Sequence, residues 1–225
     1  MKKEILRPNR STPLRKNENQ ELTISIEKDH PINFFLINGN RFITDEINEK
    51  DLIIRPNEHY MLINKSNSSC EIKYSIDVNH HNIVYNPYKY EHTRKTKINQ
   101  DNFKDTHNIP EGYIDILPKW YSIKFSYATY NLIYIKPEMG ISIQFHNKRI
   151  EYWEILGGEP IVLSGHTLSY YVQKGKEFKN SVGDYHTIIN PNKEAEEYVI
   201  LKEKWSGDFK EKDITRVFNP NQYND

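Results

Sequence analysis

Short runs of alternating apolar and polar residues, each closed by turn residues, constrain this chain more than any other feature. Between Glu21 and Asp77 they are Leu22-Thr-Ile-Ser-Ile26, Phe34-Phe-Leu-Ile37, Arg41-Phe-Ile43, Leu52-Ile-Ile54, Tyr60-Met-Leu-Ile63 and Glu71-Ile-Lys-Tyr-Ser-Ile76. Asn38-Gly39-Asn40 and Pro56-Asn57 punctuate them. From Tyr113 onward the pattern resumes in Tyr121–Phe125, Asn131–Ile135, Ile141–Phe145, Tyr152–Leu156, Pro160–Leu163, Leu168–Val172 and Tyr198–Leu201. Many short strands at this spacing predict an all-β chain, folded as a sandwich or barrel. Only Glu211 to Val217 reads as a helical turn.

The stretches between these runs set the expected domains. Residues 1 to 20 carry six basic side chains (Lys2, Lys3, Arg7, Arg10, Arg15, Lys16) and little apolar periodicity, so a flexible basic arm is expected there. Residues 21 to 77 form a first β domain, 78 to 112 a polar connection with one strand or short helix, and 113 to 225 a second β domain. An internal repeat links the halves. Arg55-Pro-Asn-Glu-His-Tyr-Met-Leu-Ile-Asn64 lies over Ser181-Val-Gly-Asp-Tyr-His-Thr-Ile-Ile-Asn190 when Asn64 is set on Asn190. Tyr60 then falls where His186 stands, so no metal is expected in the first half. His30, His59, His80 and His81 read as surface or packing residues.

Composition narrows the function classes. With 225 residues, zero formal net charge and a single cysteine, the chain has room for a core, no overall field that draws nucleic acid or an anionic membrane, and no disulfide framework. Cys70 reads as a small packed side chain. The N-terminal residues carry charge without an apolar h-region, and no run approaches about eighteen apolar residues, so a cytoplasmic protein without a membrane span is expected.

The chemistry-bearing residues gather in the second half. On the run ending at His146, alternation places Ser142, Gln144 and His146 on one face and Ile141, Ile143 and Phe145 on the other. After a turn at 147 to 150, Glu151 opens the return strand with Trp153 and Ile155 on its own side. His186, Ile188 and Asn190 share a face further on. Two imidazole nitrogens and a carboxylate oxygen suit zinc, manganese, iron, nickel or cobalt, so His146, Glu151 and His186 are the expected metal ligands.

Pro137-Glu-Met-Gly140, His146-Asn-Lys-Arg-Ile-Glu151, Tyr152-Trp153, Gly157-Gly158-Glu159-Pro160, Gly183-Asp-Tyr-His186 and Asn190-Pro191 follow the order of cupin motifs. Residues 113 to 225 resemble the cupin domain of type II mannose-6-phosphate isomerases. The resemblance implies a jelly-roll barrel, and with the repeat it implies two tandem barrels, the first degenerate. The family pattern is His-x-His-Arg-x-Glu, and here Lys148 stands in place of the second histidine. A lysine ammonium has no lone pair and opposes a cation, so the expectation is a weakened or lost metal site, with Lys148 paired to Glu151 in the metal's stead.

The implied activity is aldose-ketose isomerisation of a sugar phosphate, with Lys148, Glu151 and His186 as catalytic groups. Arg149 would bind substrate, and so would Arg216 in the ending Asp213-Ile-Thr-Arg216. Asp213 is the alternative ion-pair partner for Arg216. The expected partner is a sugar phosphate or nucleotide-sugar, with a homodimer as the assembly. Trp153 and Trp205 read as barrel core or rim. Two alternatives stand beside this reading. One is a carbohydrate-binding or structural cupin without catalysis. The other is a metal-independent epimerase with His186 as base and Tyr185 or Tyr170 as acid.

Overall fold

Antiparallel pairing organises nearly every element of the computed structural model, which describes residues 2–26, 33–44, 51–207 and 213–223. Strands hold 48% of the described residues and helix 5%, so the fold is all-β. It divides into two compact units, Met1–Lys89 with His166–Leu168, and Tyr90–Gly165 with Ser169–Asp225.

The first unit contains β1 (Lys2–Leu6), β2 (Leu14–Lys16), β3 (Leu22–Ile26), β4 (Phe34–Asn38), β5 (Arg41–Ile43), β6 (Asp51–Ile54), β7 (His59–Asn64), β8 (Cys70–Tyr74) and β9 (Asn82–Tyr85). They form one sheet of order β1-β8-β3-β6 and a second run of order β5-β4-β7-β2-β9. In β3, buried Leu22, Ile24 and Ile26 alternate with Thr23 and Ser25, the period of a strand with one face on a core. Those residues join Leu6, Ile54, Tyr60 and Leu62 in one apolar cluster.

The expected flexible arm over residues 1 to 20 is instead two strands. Leu6 and Leu14 are buried at their ends, and Lys3 pairs with Glu71 at 2.8 Å. β1 lies at the edge of its sheet, where charged side chains are tolerated because one side faces solvent, and this hides the apolar alternation. Among the expected packing histidines, His81 is buried and lies 2.7 Å from the Tyr60 hydroxyl through Nδ1, whereas His80 is exposed. His59 is half-buried, and burial, with the Lys16 charge, lowers its pKa to about 4. His30 lies outside the described residues. Cys70 is a buried free thiol, its pKa raised by burial to about 11.

The second unit adds α1 (Gln100–Thr106), β10 (Asp115–Pro118), β11 (Ser122–Ser126), β12 (Asn131–Ile135), β13 (Ile143–His146), β14 (Arg149–Gly157), β15 (Ile161–Ser164), β16 (Thr167–Ser169), β17 (Glu177–Asn180), β18 (His186–Ile189), β19 (Val199–Gly207) and β20 (Ile214–Phe218). The first two residues of β16 group with the other unit. One sheet has the order β10-β11-β12-β19-β14-β17, and a second run the order β20-β13-β18-β15. From β12 to β20, leaving β16 aside, consecutive strands fall alternately into the two sheets, which is jelly-roll winding. Ile135, Trp153, Ile155, Val162, Ile188, Val199 and Leu201 form the core of this unit.

All five residues of β12 are buried. Phe103 of α1 packs with Phe125, Leu132 and Tyr134, so the strand has no solvent face and no alternation. The helical turn expected within 211 to 217 is replaced by β20, which pairs with β13 through His146↔Ile214 and Phe145↔Thr215. Glu211 and Lys212 lie outside the described residues.

The two units share a strand order. In the first it is β1-β8-β3-β6 with β9-β2-β7-β4, and in the second β12-β19-β14-β17 with β20-β13-β18-β15. The repeat anchors behave alike within this order. Asn64 Nδ2 donates to the Leu6 and Ser68 carbonyls, and Asn190 Nδ2 to those of Ile135 and Glu197. Each Oδ1 accepts from the backbone N–H two residues on, Ser66 or Asn192.

Candidate metal centre

The β13–β14 hairpin builds most of the site. His146 ends β13, Asn147 and Lys148 make the exposed turn, and Arg149 already belongs to β14. Arg149, Glu151, Trp153 and Ile155 therefore share the buried face of that strand. Asp213 fixes the turn, accepting from the backbone N–H of Asn147 at 3.2 Å and of Lys148 at 3.0 Å. His186 enters from the start of β18, opposite Gln144 of β13. The preceding turn is tied to the hairpin by Gly183, whose N–H donates to the His146 carbonyl at 2.8 Å. Gly183 has φ +84, a left-handed conformation that strains any residue with a Cβ.

His146, Glu151 and His186 are each 1% exposed and bring one donor atom apiece within 4.8 Å of one another. His146 Nε2 lies 3.0 Å from Glu151 Oε1, His186 Nε2 lies 3.6 Å from Oε2, and the two Nε2 atoms are 3.2 Å apart. Each imidazole turns Nδ1 to a backbone carbonyl, Asp213 for His146 at 3.3 Å and Asp184 for His186 at 2.9 Å. A carbonyl only accepts, so both Nδ1 atoms carry hydrogen and both Nε2 lone pairs point inward. Carbonyl-oriented imidazoles of this kind are what metal ligation uses. Ligands about 2.0–2.1 Å from a tetrahedral metal lie about 3.3 Å from one another, so the donor set fits a metal.

Arg149 is the cation already facing these donors. Its Nε donates to Glu151 Oε1 at 2.9 Å, and Nη2 lies 3.1 Å from His146 Nε2. Trp153 Nε1 donates to Glu151 Oε2 at 3.1 Å. Burial opposes the Glu151 charge, but the hydrogen bonds and positive charge around it, the Arg149 guanidinium among them, outweigh it and hold the pKa at about 2. Burial lowers the His186 pKa against the pull of Glu151, which keeps its imidazole neutral.

The structure corrects several residue assignments. Lys148 does not pair with Glu151: it sits at the exposed turn and contributes its backbone N–H to Asp213, while Arg149 supplies the buried charge. The reason is register, since the two-residue turn returns Arg149, not Lys148, to the face of Glu151. Asp213 spends its carboxylate on the turn and is not among the ion-pair partners of Arg216. Tyr185 packs edge-on against Phe145, centroids 5.6 Å apart, on the face opposite His146. Trp153 is core at 1% exposure, and Trp205 is half-buried beside it in the sheet, paired with Glu151.

A cavity of about 130 Å³ is lined by Ser142, Gln144, Arg149, Lys124, Glu203 and Arg216, among others. Arg149 and Arg216 thus share one space, whereas Tyr170 and Tyr185 are not in its lining. Glu203 escaped sequence reasoning. It stands opposite Trp153 across β14 and β19 and accepts from Asn131 Nδ2 at 2.8 Å. Burial, then the Glu151 charge, push its pKa up to about 8 against Asn131, Lys124 and Arg149. The visible signal was a lone glutamate on a strand whose neighbours on the same face, Val199 and Leu201, are buried and apolar.

No protein-family model matches the chain, and no curated protein matches it. Solved structures similar to it include a single-residue mutant of Bacillus subtilis oxalate decarboxylase OxdC, 10% identical over 91% of this chain and 67% of that one, TM-score 0.35. Another is the Lactobacillus farciminis oxalate decarboxylase formate complex, 13% identical over 91% and 78%, TM-score 0.34. A third is CapF with the inhibitor 3-isopropenyl-tropolone, 13% identical over 56% of this chain and 35% of that one, TM-score 0.37. At these identities and TM-scores none of them assigns a reaction to this chain. By its own strand winding and donor set, the protein is an all-β chain whose second unit is wound as a jelly roll and carries a buried His-Glu-His group that could hold a metal.

Proposed function

We propose that the protein interconverts the aldose and ketose forms of a sugar phosphate. The observation that carries this reading is the single cavity in which Arg149, Arg216 and Lys124 meet Glu203, Gln144 and Ser142. Guanidinium and ammonium groups suit phosphate and sugar oxygens. A carboxyl with a pKa of about 8 exchanges protons readily near neutrality, so Glu203 can take a proton from one carbon and return it to its neighbour. Gln144 and Ser142, joined by a 2.8 Å hydrogen bond, offer polar groups to orient hydroxyls. A divalent metal held by His146, Glu151 and His186 would supply polarisation of the substrate carbonyl. The cavity of about 130 Å³ is below the roughly 300 Å³ of common ligand pockets, so it takes the reacting end and leaves the rest of the sugar at the mouth.

The test is interconversion of mannose 6-phosphate and fructose 6-phosphate, followed with deuterium uptake from solvent and elemental analysis of the same samples. Glu203→Gln is expected to lower kcat at least about a hundredfold with the fold intact. Turnover unaffected by this change removes Glu203 from the reaction. A second reading, a carbohydrate-binding cupin without catalysis, is favoured by the Arg149 contacts that already engage two of the three donors, Glu151 and His146. Sugar-phosphate binding with neither product nor exchange would select it.

A further inference from the structure

The second unit holds another cavity, of about 510 Å³, whose lining shares no residue with the one above Arg149. Its walls include Tyr90, Arg94, Trp120, Lys136, Lys193 and Tyr198. The volume falls within the range of about 300–1,000 Å³ that small-molecule sites occupy.

Charge and shape together say what would fit. Three cations, Arg94, Lys136 and Lys193, face one carboxylate, Glu138, so the lining is net +2 in a chain of zero net charge. Glu138 is already engaged, accepting from the Tyr90 hydroxyl at 2.8 Å. Lys136 is half-buried and has no ion-pair partner among the described residues, and burial lowers its pKa. A lysine so placed carries a desolvation cost that an anion would relieve. The turn that carries it is tightly held: Met139 N–H donates to the Lys136 carbonyl at 3.2 Å, and Glu138 adopts φ +59 with its N–H on the Asn192 carbonyl at 3.0 Å. A left-handed conformation at a residue other than glycine is strained, and such strain gathers at ligand sites.

The aromatic walls are braced by neighbouring rings. Tyr198 is backed by Phe103 and His107, with centroids 5.3 and 5.1 Å away, and Trp120 meets Tyr121 edge-on at 5.6 Å. Fixed rings beside uncompensated cations recognise a planar base joined to phosphates: the rings stack on the base and the cations bind the phosphate oxygens. We propose that this cavity binds a nucleoside diphosphate, with Lys136 as phosphate anchor and Trp120 as stacking wall. The site is independent of the isomerase reading.

Isothermal titration of the full chain with ADP and UDP tests it, with adenosine and inorganic pyrophosphate as separate arms. Saturable nucleotide binding is expected, with adenosine and pyrophosphate each weaker. Lys136→Gln should weaken ADP by about tenfold or more, and Lys136→Arg should retain it. Trp120→Leu should weaken ADP but not pyrophosphate, and Arg216→Ala, in the other cavity, should leave ADP affinity at its wild-type value. Thermal unfolding of each variant establishes that it folds. Absence of nucleotide heat, pyrophosphate binding as tight as ADP, or wild-type affinity in both Lys136→Gln and Trp120→Leu overturns the assignment. Loss of binding in Arg216→Ala with retention in Lys136→Gln moves the ligand to the other cavity and overturns it equally.

Discussion

Two arginines show how much a single buried charge decides. Arg149 is 4% exposed and neutralises Glu151, so Arg149→Met should cost about 3–5 kcal/mol by leaving a buried carboxylate unpaired. The same change removes a competing cation from the donors. Zinc should therefore restore the lost stability, and chelator competition should show zinc bound about tenfold more tightly than by the wild type. Equal or weaker zinc binding in the variant would mean that Arg149 does not compete for the site. Arg15 is the opposite case: it is 8% exposed, and its Nε and Nη1 have no hydrogen-bond partner among the described residues. Arg15→Met should raise stability by about 1–3 kcal/mol in denaturant unfolding, because a buried cation with two unsatisfied nitrogens is replaced by an apolar chain of similar length.

Glu151 has its folded pKa lowered from 4.5 to about 2, so its contribution is present above pH 4.5 and is lost as pH falls toward 2. Glu203 has its folded pKa raised from 4.5 to about 8, so its contribution is full below pH 4.5 and is lost as pH rises through 8. Glu203→Gln should therefore flatten the stability profile between those two pH values, as read by thermal unfolding across pH, and leave the acid limb in place.

Among the elements, the β13–β14 hairpin shows that a site depends on the turn that sets its register. The turn is held by Asp213, a residue more than sixty positions away in sequence but adjacent through β20. Asp213→Ala removes a buried carboxylate that accepts two backbone hydrogen bonds, for an expected loss of about 2–4 kcal/mol. His146 also rests its Nδ1 on the Asp213 carbonyl, so zinc affinity should fall in the same variant, measured by the same competition. β13 was readable because one of its faces, Ile143 and Phe145, is apolar. β1 was not, because an edge position lets charged residues occupy the pattern, and β2 was not, because three residues between β7 and β9 are too few to show a period. β12 gave a continuous apolar run for the opposite reason, burial on both faces.

For the whole molecule, the shared strand order and the matched asparagines make Asn64 and Asn190 a comparable pair. Both are fully buried, and each closes a loop through two donated bonds. Asn64→Ala and Asn190→Ala should lower stability by similar amounts, about 2–4 kcal/mol each in denaturant unfolding, and a large inequality would argue against equivalent roles. By itself the sequence determined that the chain is all-β, where most strands fall, and that His146, Glu151 and His186 belong to one site, because period-two alternation and motif order are local properties. Only the tertiary structure decided that Arg149 and not Lys148 supplies the charge at Glu151, that Lys2–Leu6 and Leu14–Lys16 are strands, and that Glu203 and Asp213 belong to the site. Each of those depends on which distant strand lies alongside, and strand partners are chosen by the packing of whole faces, which a linear pattern does not encode.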